Sequence, residues 1–152
     1  MTTIIGNIID GLGAASMGKE PWGCKGSIEL QMKYFEKNHK FFYYKICNCY
    51  FGTINIEVDN RKSIYNNIDW DYKFYNIAWI PNTKKWFEDI YFKRININFN
   101  DSLFNSWLYY ASKSPHQKNQ NSNLIEVLAP YIPKIAINKK IILSYFNEKN
   151  NI

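Results

Sequence analysis

Residues 70–99 read WDYKFYNIAWIPNTKKWFEDIYFKRININF, and this stretch decides the fold. It holds 10 of the 27 aromatic residues of the chain. Aromatic and β-branched side chains fit a pleated, half-buried sheet surface better than a helix. The segment PNTK at residues 81–84 favours a turn, because proline fixes φ and asparagine tolerates turn conformations. We therefore predict a β-hairpin or meander with arms at residues 69–80 and 85–99, which supplies most of the core.

The second arm begins in a segment that allows two interpretations. Thr83 could cap a helical turn that carries Trp86 and Ile90, so a helix over residues 84–92 is an alternative to a strand. Further along, isoleucine and phenylalanine alternate with asparagine over residues 95–100, which is typical of a strand.

The chain before residue 60 shows both the helical and the strand period. Five apolar residues between positions 4 and 12 form one stripe, which predicts an N-terminal helix over residues 1–12. Frequent glycines predict a loop over residues 13–27. Alternating or continuous apolar runs predict three strands, at residues 28–35, 41–51 and 53–59. Residues 60–67 are polar and predict a loop.

The chain after residue 100 is predicted to be mostly helical. A cap at Asp101 or Ser102 and an apolar stripe from Leu103 to Ala111 predict a helix over residues 101–112. The following segment has no aliphatic or aromatic residue, which predicts a mobile loop. The remaining predicted elements are the loop at residues 112–122, a short helix at 123–128, an edge strand at 132–137 and a strand or helix at 141–146.

These elements predict one α+β domain over residues 1–152. It has a mainly antiparallel sheet of about five to six strands centred on residues 28–99, an N-terminal helix and one or two helices in its C-terminal part, where residues 123–152 hold the last elements. A chain of 152 residues buries about two thirds of the surface that its unfolded form exposes, so it needs no disulfides. The odd number of cysteines, three, favours reduced thiols and a cytoplasmic protein. No apolar stretch approaches the length of a membrane span, so we expect no membrane partner.

The net charge of +6 lies entirely in the second part of the chain. Residues 61–152 carry 13 basic and 7 acidic residues, whereas residues 1–60 carry six of each. Such a field attracts nucleic acid or an acidic protein. Asparagine, isoleucine and lysine are frequent together, which is typical of an A/T-rich, bacterial gene.

The motifs of cofactor and metal sites are incomplete. Residues 13–19 fit the phosphate-binding pattern G-x-x-x-x-G-K, but Glu20 stands where a hydroxyl is required, so we interpret them as a glycine-rich turn. Cys47 and Cys49 would face one side of a strand, and we interpret them as a pair of small core residues. We therefore predict no cofactor and no metal site.

A nuclease would need two carboxylates and a lysine around a divalent cation. Asp59, Asp71 and Lys73 supply these residue types, but one acid-x-lysine triplet is no more than chance provides in this composition. With only two histidines, both outside the predicted core, we predict no catalytic residues.

Basic residues alternate with aromatic ones in the 70–99 stretch and after it, and this pattern marks a candidate binding surface. The candidate partner-binding residues are Trp79, Lys84, Lys85, Trp86, Lys93, Arg94, Trp107 and Tyr110. Because no catalytic motif accompanies them, we expect a non-enzymatic protein-binding domain, such as a toxin-neutralising immunity protein or another small inhibitor. A nucleic-acid-binding domain and, after it, a metal-dependent nuclease are the alternatives. The partner and the oligomeric state are not determined by the sequence.

Overall fold

A computed structural model describes residues 1–9, 26–81, 85–119 and 121–148, and these residues form an α+β structure. The strands are β1 Thr2–Ile9, β2 Ile54–Glu57, β3 Tyr72–Ile77, β4 Glu88–Phe99, β5 Ser102–Ala111, β6 Leu124–Leu128 and β7 Lys140–Tyr145. The helices are α1 Ser27–Asn38, α2 Lys40–Ile46, α3 Arg61–Asn67 and α4 Pro115–Lys118.

All seven strands belong to one antiparallel sheet, one strand more than the upper number predicted. The order is β3-β4-β5-β6-β2-β1-β7, and β4 also pairs with β7. This last pairing closes six strands into a ring, because β7 at one end of the order meets β4 near the other. Strand β3 stays outside the ring and extends the sheet from the first half of β4.

The long hairpin of β4 and β5 is the central element of the sheet. The two strands pair continuously from Ile90 and Ala111 to Phe99 and Ser102. Asn100 and Asp101 connect them with φ values of 48° and 60°. A two-residue turn with positive φ at both positions matches the twist of the strands, and asparagine and aspartate tolerate that conformation.

The 70–99 stretch forms the predicted antiparallel pair, β3 with β4. Residues 88–92 are strand, so the alternative helix over 84–92 is wrong there, and residues 82–84 lie outside the described part. The prediction that this stretch supplies most of the core is also wrong. It contributes seven of the 32 buried hydrophobic residues described, because both faces of the sheet are packed against elements from the whole chain.

Side chains inside the ring form the first of two cores. They alternate along every strand, as Ile95 and Ile97 do on β4, and they meet Leu108, Val127 and Leu143 from the other strands. A sheet closed on itself buries one face completely, since directly opposite residues point to the same side.

The second core lies on the outer face of the sheet, under α1 and α2. Phe35 of α1 and Phe42 of α2 contact Phe92 and Trp107, with ring centroids 4.7 to 6.4 Å apart along the cluster. Helices cover this part of the sheet because the outward residues there are large and apolar.

Several predicted helices are strands. Residues 1–12 were predicted as a helix, but residues 2–9 form β1, in which Ile4 and Ile8 point into the ring. Isoleucines four apart satisfy both periods, and pairing with β2 and β7 decides between them. The predicted helices at 101–112 and 123–128 are wrong in the same way, because these segments are the strands β5 and β6. Strand β5 pairs with β4 and β6, and β6 pairs with β5 and β2.

Other predicted elements are helices or irregular segments. The strands predicted at 28–35 and 41–51 are wrong: the first lies within α1, and α2 covers the beginning of the second. The buried positions Ile28, Met32 and Phe35 of α1 follow the helical period. The predicted loop 60–67 contains α3, which Asn60 caps by accepting a hydrogen bond from the Ser63 amide. The predicted loop 112–122 contains α4, residues 132–137 form no strand, and residues 141–145 are strand.

No helix in the described ranges is both long enough and apolar enough to cross a lipid bilayer. The glycine-rich turn at residues 13–19 and most of the predicted loop 13–27 lie outside those ranges.

Candidate functional site

Three of the candidate partner-binding residues are buried. Trp79 and Trp107 belong to the core under the helices, and Lys93 is equally enclosed. In this fold they offer almost no surface to a partner. Lys84 lies outside the described residues, Lys85 and Arg94 are exposed, and Trp86 and Tyr110 are half-buried.

Lys93 is held by Asp71, the carboxylate that the nuclease hypothesis requires. One oxygen of Asp71 lies 3.2 Å from Nζ of Lys93, and the other accepts a 2.7 Å hydrogen bond from the backbone amide of Arg94. Both oxygens therefore hold β4 against the residue that precedes β3. In the described ranges no three His, Cys, Asp or Glu side chains are placed to bind a metal ion.

Among the described residues, four basic side chains lie over aromatic rings of the same molecule. The pairs are Arg94 over Trp107 at 5.1 Å, Lys73 over Tyr91 at 5.5 Å, Lys113 over Trp86 at 4.8 Å and Arg61 over Tyr65 at 5.9 Å. Such cation–π pairs are attractive. The alternation of basic and aromatic residues in the sequence thus serves contacts within the fold.

Tyr110 belongs to a row of aromatic rings on the face of β4 and β5 opposite the helices. It stacks on Tyr91 at 5.2 Å, and Trp70 and Tyr65 pack against it at 6.1 and 5.6 Å. Tyr75 continues the row at the exposed strand β3, 5.7 Å from Tyr91. Because the rings pack on one another, much of their area is already covered.

Two buried carboxyl groups were missed in the sequence, Glu88 and Glu126. Glu88 accepts hydrogen bonds from the Trp79 indole at 2.7 Å and from the Lys113 amide at 2.9 Å. Burial raises its pKa, and these donors oppose the rise. An acid directly after the apolar pair Trp86 and Phe87 was the available signal.

Glu126 lies on β6, where all five residues are buried. Its carboxyl accepts hydrogen bonds from the hydroxyls of Thr53 and Ser114 at 3.3 and 3.2 Å. Burial raises the pKa of Glu126 to about 7, against the effect of these hydroxyls. Glu88 and Glu126 both bind the turn at residues 113–114, so their observed role is to position that turn.

Cys47 and Cys49 follow α2 and differ in environment. Cys47 is exposed and Cys49 is buried, so the prediction of a pair of core residues is wrong for Cys47. A helix end followed by a turn separates the two side chains, whereas a strand would have placed them on one face. Burial raises the pKa of Cys49 to about 12, which keeps this thiol protonated and unreactive.

Helix α2 carries the most exposed large hydrophobic residue described. Phe41 is 91% exposed and Tyr44, one turn later, is 70% exposed. The opposite side of the helix is buried through Phe42 and Ile46. Residues three apart lie on the same side of a helix, so Phe41 and Tyr44 form a ridge, which we name the α2 ridge. Sequence reasoning missed it because the segment was predicted to be a strand.

Lysines surround the α2 ridge. Lys40 and Lys45 are exposed on the same short helix, and Lys37 is exposed at the end of α1. Residues 33–46 carry four lysines and one glutamate, Glu36. The ridge therefore combines apolar rings with a local positive charge.

No protein-family model matches this chain, and no curated protein is significantly similar to it in sequence.

Proposed function

We propose that this chain is a non-enzymatic protein-binding domain that works in the cytoplasm of a bacterium as a small inhibitor, as a toxin-neutralising immunity protein does. The observation that carries the proposal is the α2 ridge, in which Phe41 and Tyr44 extend from a helix whose other side is anchored in the core. The frequent asparagine, isoleucine and lysine support a bacterial origin, and the free thiols of Cys47 and Cys49 support a location in the cytoplasm.

The α2 ridge has the properties of a binding hot spot. Aromatic side chains dominate the energy of protein interfaces, and burying one phenylalanine contributes about 2 kcal/mol or more. Because Phe42 and Ile46 fix the helix on the sheet, the backbone that carries the two exposed rings loses little conformational freedom on binding. The ridge would insert into an apolar cleft of the partner.

The charge of the ridge indicates the chemistry of that partner. Lys37, Lys40 and Lys45 would face the rim of the cleft, so an acidic rim provides complementary charge. The proposed target is therefore a protein with an acidic border around an apolar cleft. An inhibitor of a strongly basic nuclease would instead need an acidic surface.

A nucleic-acid-binding function on the basic and aromatic surface predicted around residues 70–99 has less support from the geometry. Base stacking requires open aromatic faces beside cations. In this fold the cations Lys73, Arg94 and Lys113 lie over rings of the protein itself, and the ring of Tyr91 is enclosed by its aromatic neighbours. Of the candidate residues, Arg94 is thus paired with Trp107 and Lys93 with Asp71.

The proposal is tested with the proteins encoded by the reading frames next to the gene of this chain. Each is purified and titrated calorimetrically with the wild-type chain and with the double variant Phe41→Ala/Tyr44→Ala. We expect one of them to bind, and we expect the double variant to weaken binding by about 100-fold or more, the cost of two truncated hot-spot residues.

The matched control is Tyr131→Ala, because Tyr131 is as exposed as Tyr44 but lies outside α2. This variant should bind like the wild type. Equal affinity of the double variant and the wild type would place the interface elsewhere, and a neighbour cleaved or modified by the wild-type chain would contradict the non-enzymatic function.

A further inference from the structure

A second exposed surface lies on the outer face of the sheet, away from the helices. Ile5 of β1 is opposite Ile142 of β7, Ile142 is opposite Asn98 of β4, and Asn98 is opposite Leu103 of β5. Directly opposite residues point to the same face. Ile5, Ile142 and Leu103 are all exposed, Leu103 to 70%, so they form one apolar row across four strands.

The neighbouring row on the same face is polar and uncharged. It consists of Thr3, Ser144, Asn96 and Asn105, which are opposite one another in this order. The two rows hold no ionisable side chain, although the chain carries a net charge of +6. We name these two rows the uncharged sheet face.

The size of this face limits what it can bind. Four strands about 4.8 Å apart span about 19 Å, and two rows extend about 13 Å along the strands. Phe146, which is exposed and lies directly beyond the paired residue Tyr145, lengthens the face. With it the area is roughly 300 Å² for each molecule, which is below the size of stable interfaces and allows only a weak, transient contact.

We propose that a second copy of this chain covers the uncharged sheet face in a weak, reversible dimer. Two molecules with a charge of +6 repel each other across most of their surfaces, and the repulsion is smallest where the facing groups are uncharged. A two-fold dimer brings the same patch of both molecules together. Sheets that pack face to face at about 10 Å bury alternate side chains of the kind that Ile5, Ile142 and Leu103 provide.

The test is sedimentation velocity of the full chain from about 10 to 500 µM at ~0.15 M salt, a range that brackets the weak affinity of so small an interface. We expect the average mass to rise towards that of a dimer. Leu103→Lys should weaken the dimer by about tenfold or more, because each interface would bury two unpaired charges. The control Tyr131→Lys adds the same charge at an exposed residue outside the sheet and should have a much smaller effect.

A second variant, Ile142→Thr, keeps a β-branched residue in β7 and should weaken the dimer without adding charge. Circular dichroism verifies that each variant folds. A monomer at every concentration overturns the proposal, and so does a dimer that persists in both Leu103→Lys and Ile142→Thr. Binding of the monomer to anionic phospholipid vesicles, or to the partner of the α2 ridge, that Ile142→Thr abolishes would overturn the proposal and assign this face to another occupant.

Discussion

Glu126 and Arg61 show at the residue scale how the fold uses buried charge. Arg61 donates hydrogen bonds to the backbone carbonyls of His116 and Asn119, at 2.8 and 2.9 Å. Glu126 accepts a hydrogen bond from Ser114 on the same connection between β5 and β6. Buried charges are tolerated when hydrogen bonds satisfy them, and here these bonds order a polar segment that has few apolar contacts of its own.

The ionisation of Glu126 predicts that stability depends on pH. Its pKa is about 7 in the fold and 4.5 in the free side chain. A raised pKa means that the folded form binds the proton more tightly, so the contribution is complete below about pH 4.5 and is lost as the pH rises through about 7. Between pH 5 and 8 the folded state should lose about 2 to 3 kcal/mol from this group.

Urea unfolding at pH 5 and pH 8 measures this loss. The variant Glu126→Gln keeps a hydrogen-bond acceptor but cannot ionise, so the difference in unfolding free energy between wild type and variant should change by about that amount between the two pH values. The pKa of Glu88 is raised as well, but Glu88 is present in both proteins, so its contribution cancels in the difference. A difference that does not change with pH would show that Glu126 stays ionised in the fold.

Strand β1 shows at the element scale how close packing constrains the ring. Gly6 points inward with Ile4 and Ile8, and a Cβ atom there would lie 2.5 Å from Cγ2 of Ile56 and 2.6 Å from the carbonyl oxygen of Glu57. The second contact is with backbone and cannot be relieved by a change of rotamer. Of the three inward positions of β1, Ile4 and Ile8 therefore have room for a side chain, and position 6 does not.

Gly6→Ala is expected to destabilise the protein by about 1 to 3 kcal/mol, because β1 and β2 must separate to admit the methyl group. Chemical denaturation measures the change. Asn7→Ala, at the exposed neighbouring residue of the same strand, is the control and should remain within about 0.5 kcal/mol of wild type. A Gly6→Ala protein as stable as wild type would contradict the close approach of the two strands.

At the scale of the whole molecule, the basic and aromatic residues described in β3 to β5 largely contact one another, and exposed rings beside lysines occur at the α2 ridge instead. Several cations lie over internal rings, and Lys93 is paired with Asp71. Long-range attraction to nucleic acid remains, but at β3 to β5 it depends mainly on phosphate contacts, and such contacts weaken steeply with salt.

Chromatography on immobilised single-stranded DNA tests this expectation. The chain should elute below ~0.2 M salt, because that concentration is enough to disrupt a small number of phosphate contacts that base stacking does not reinforce. The variant Arg94→Gln should elute at nearly the same salt, because Arg94 is one of many surface cations. Strong retention above this salt, lost in Arg94→Gln, would favour the nucleic-acid-binding alternative over the proposed inhibitor.

The sequence by itself determined the α+β class, the antiparallel sheet and the pairing of β3 with β4. These properties follow from local features, namely clustered aromatic residues and strict alternation such as that of Ile95 and Ile97. Local patterns also indicated that basic and aromatic residues cluster. They did not distinguish Arg94, which is exposed, from Lys93, which is buried.

The tertiary structure alone decided the state of the ambiguous segments and the position of the surfaces. Isoleucines at positions 4 and 8 fit a helix and a strand equally, and pairing with residues more than 40 positions away made β1 a strand. The segment around Phe41 became a helix because Phe42 and Ile46 pack on the outer face of the sheet. Closure between β4 and β7, a contact between distant parts of the chain, then fixed which side chains were enclosed and left the α2 ridge and the uncharged sheet face outside.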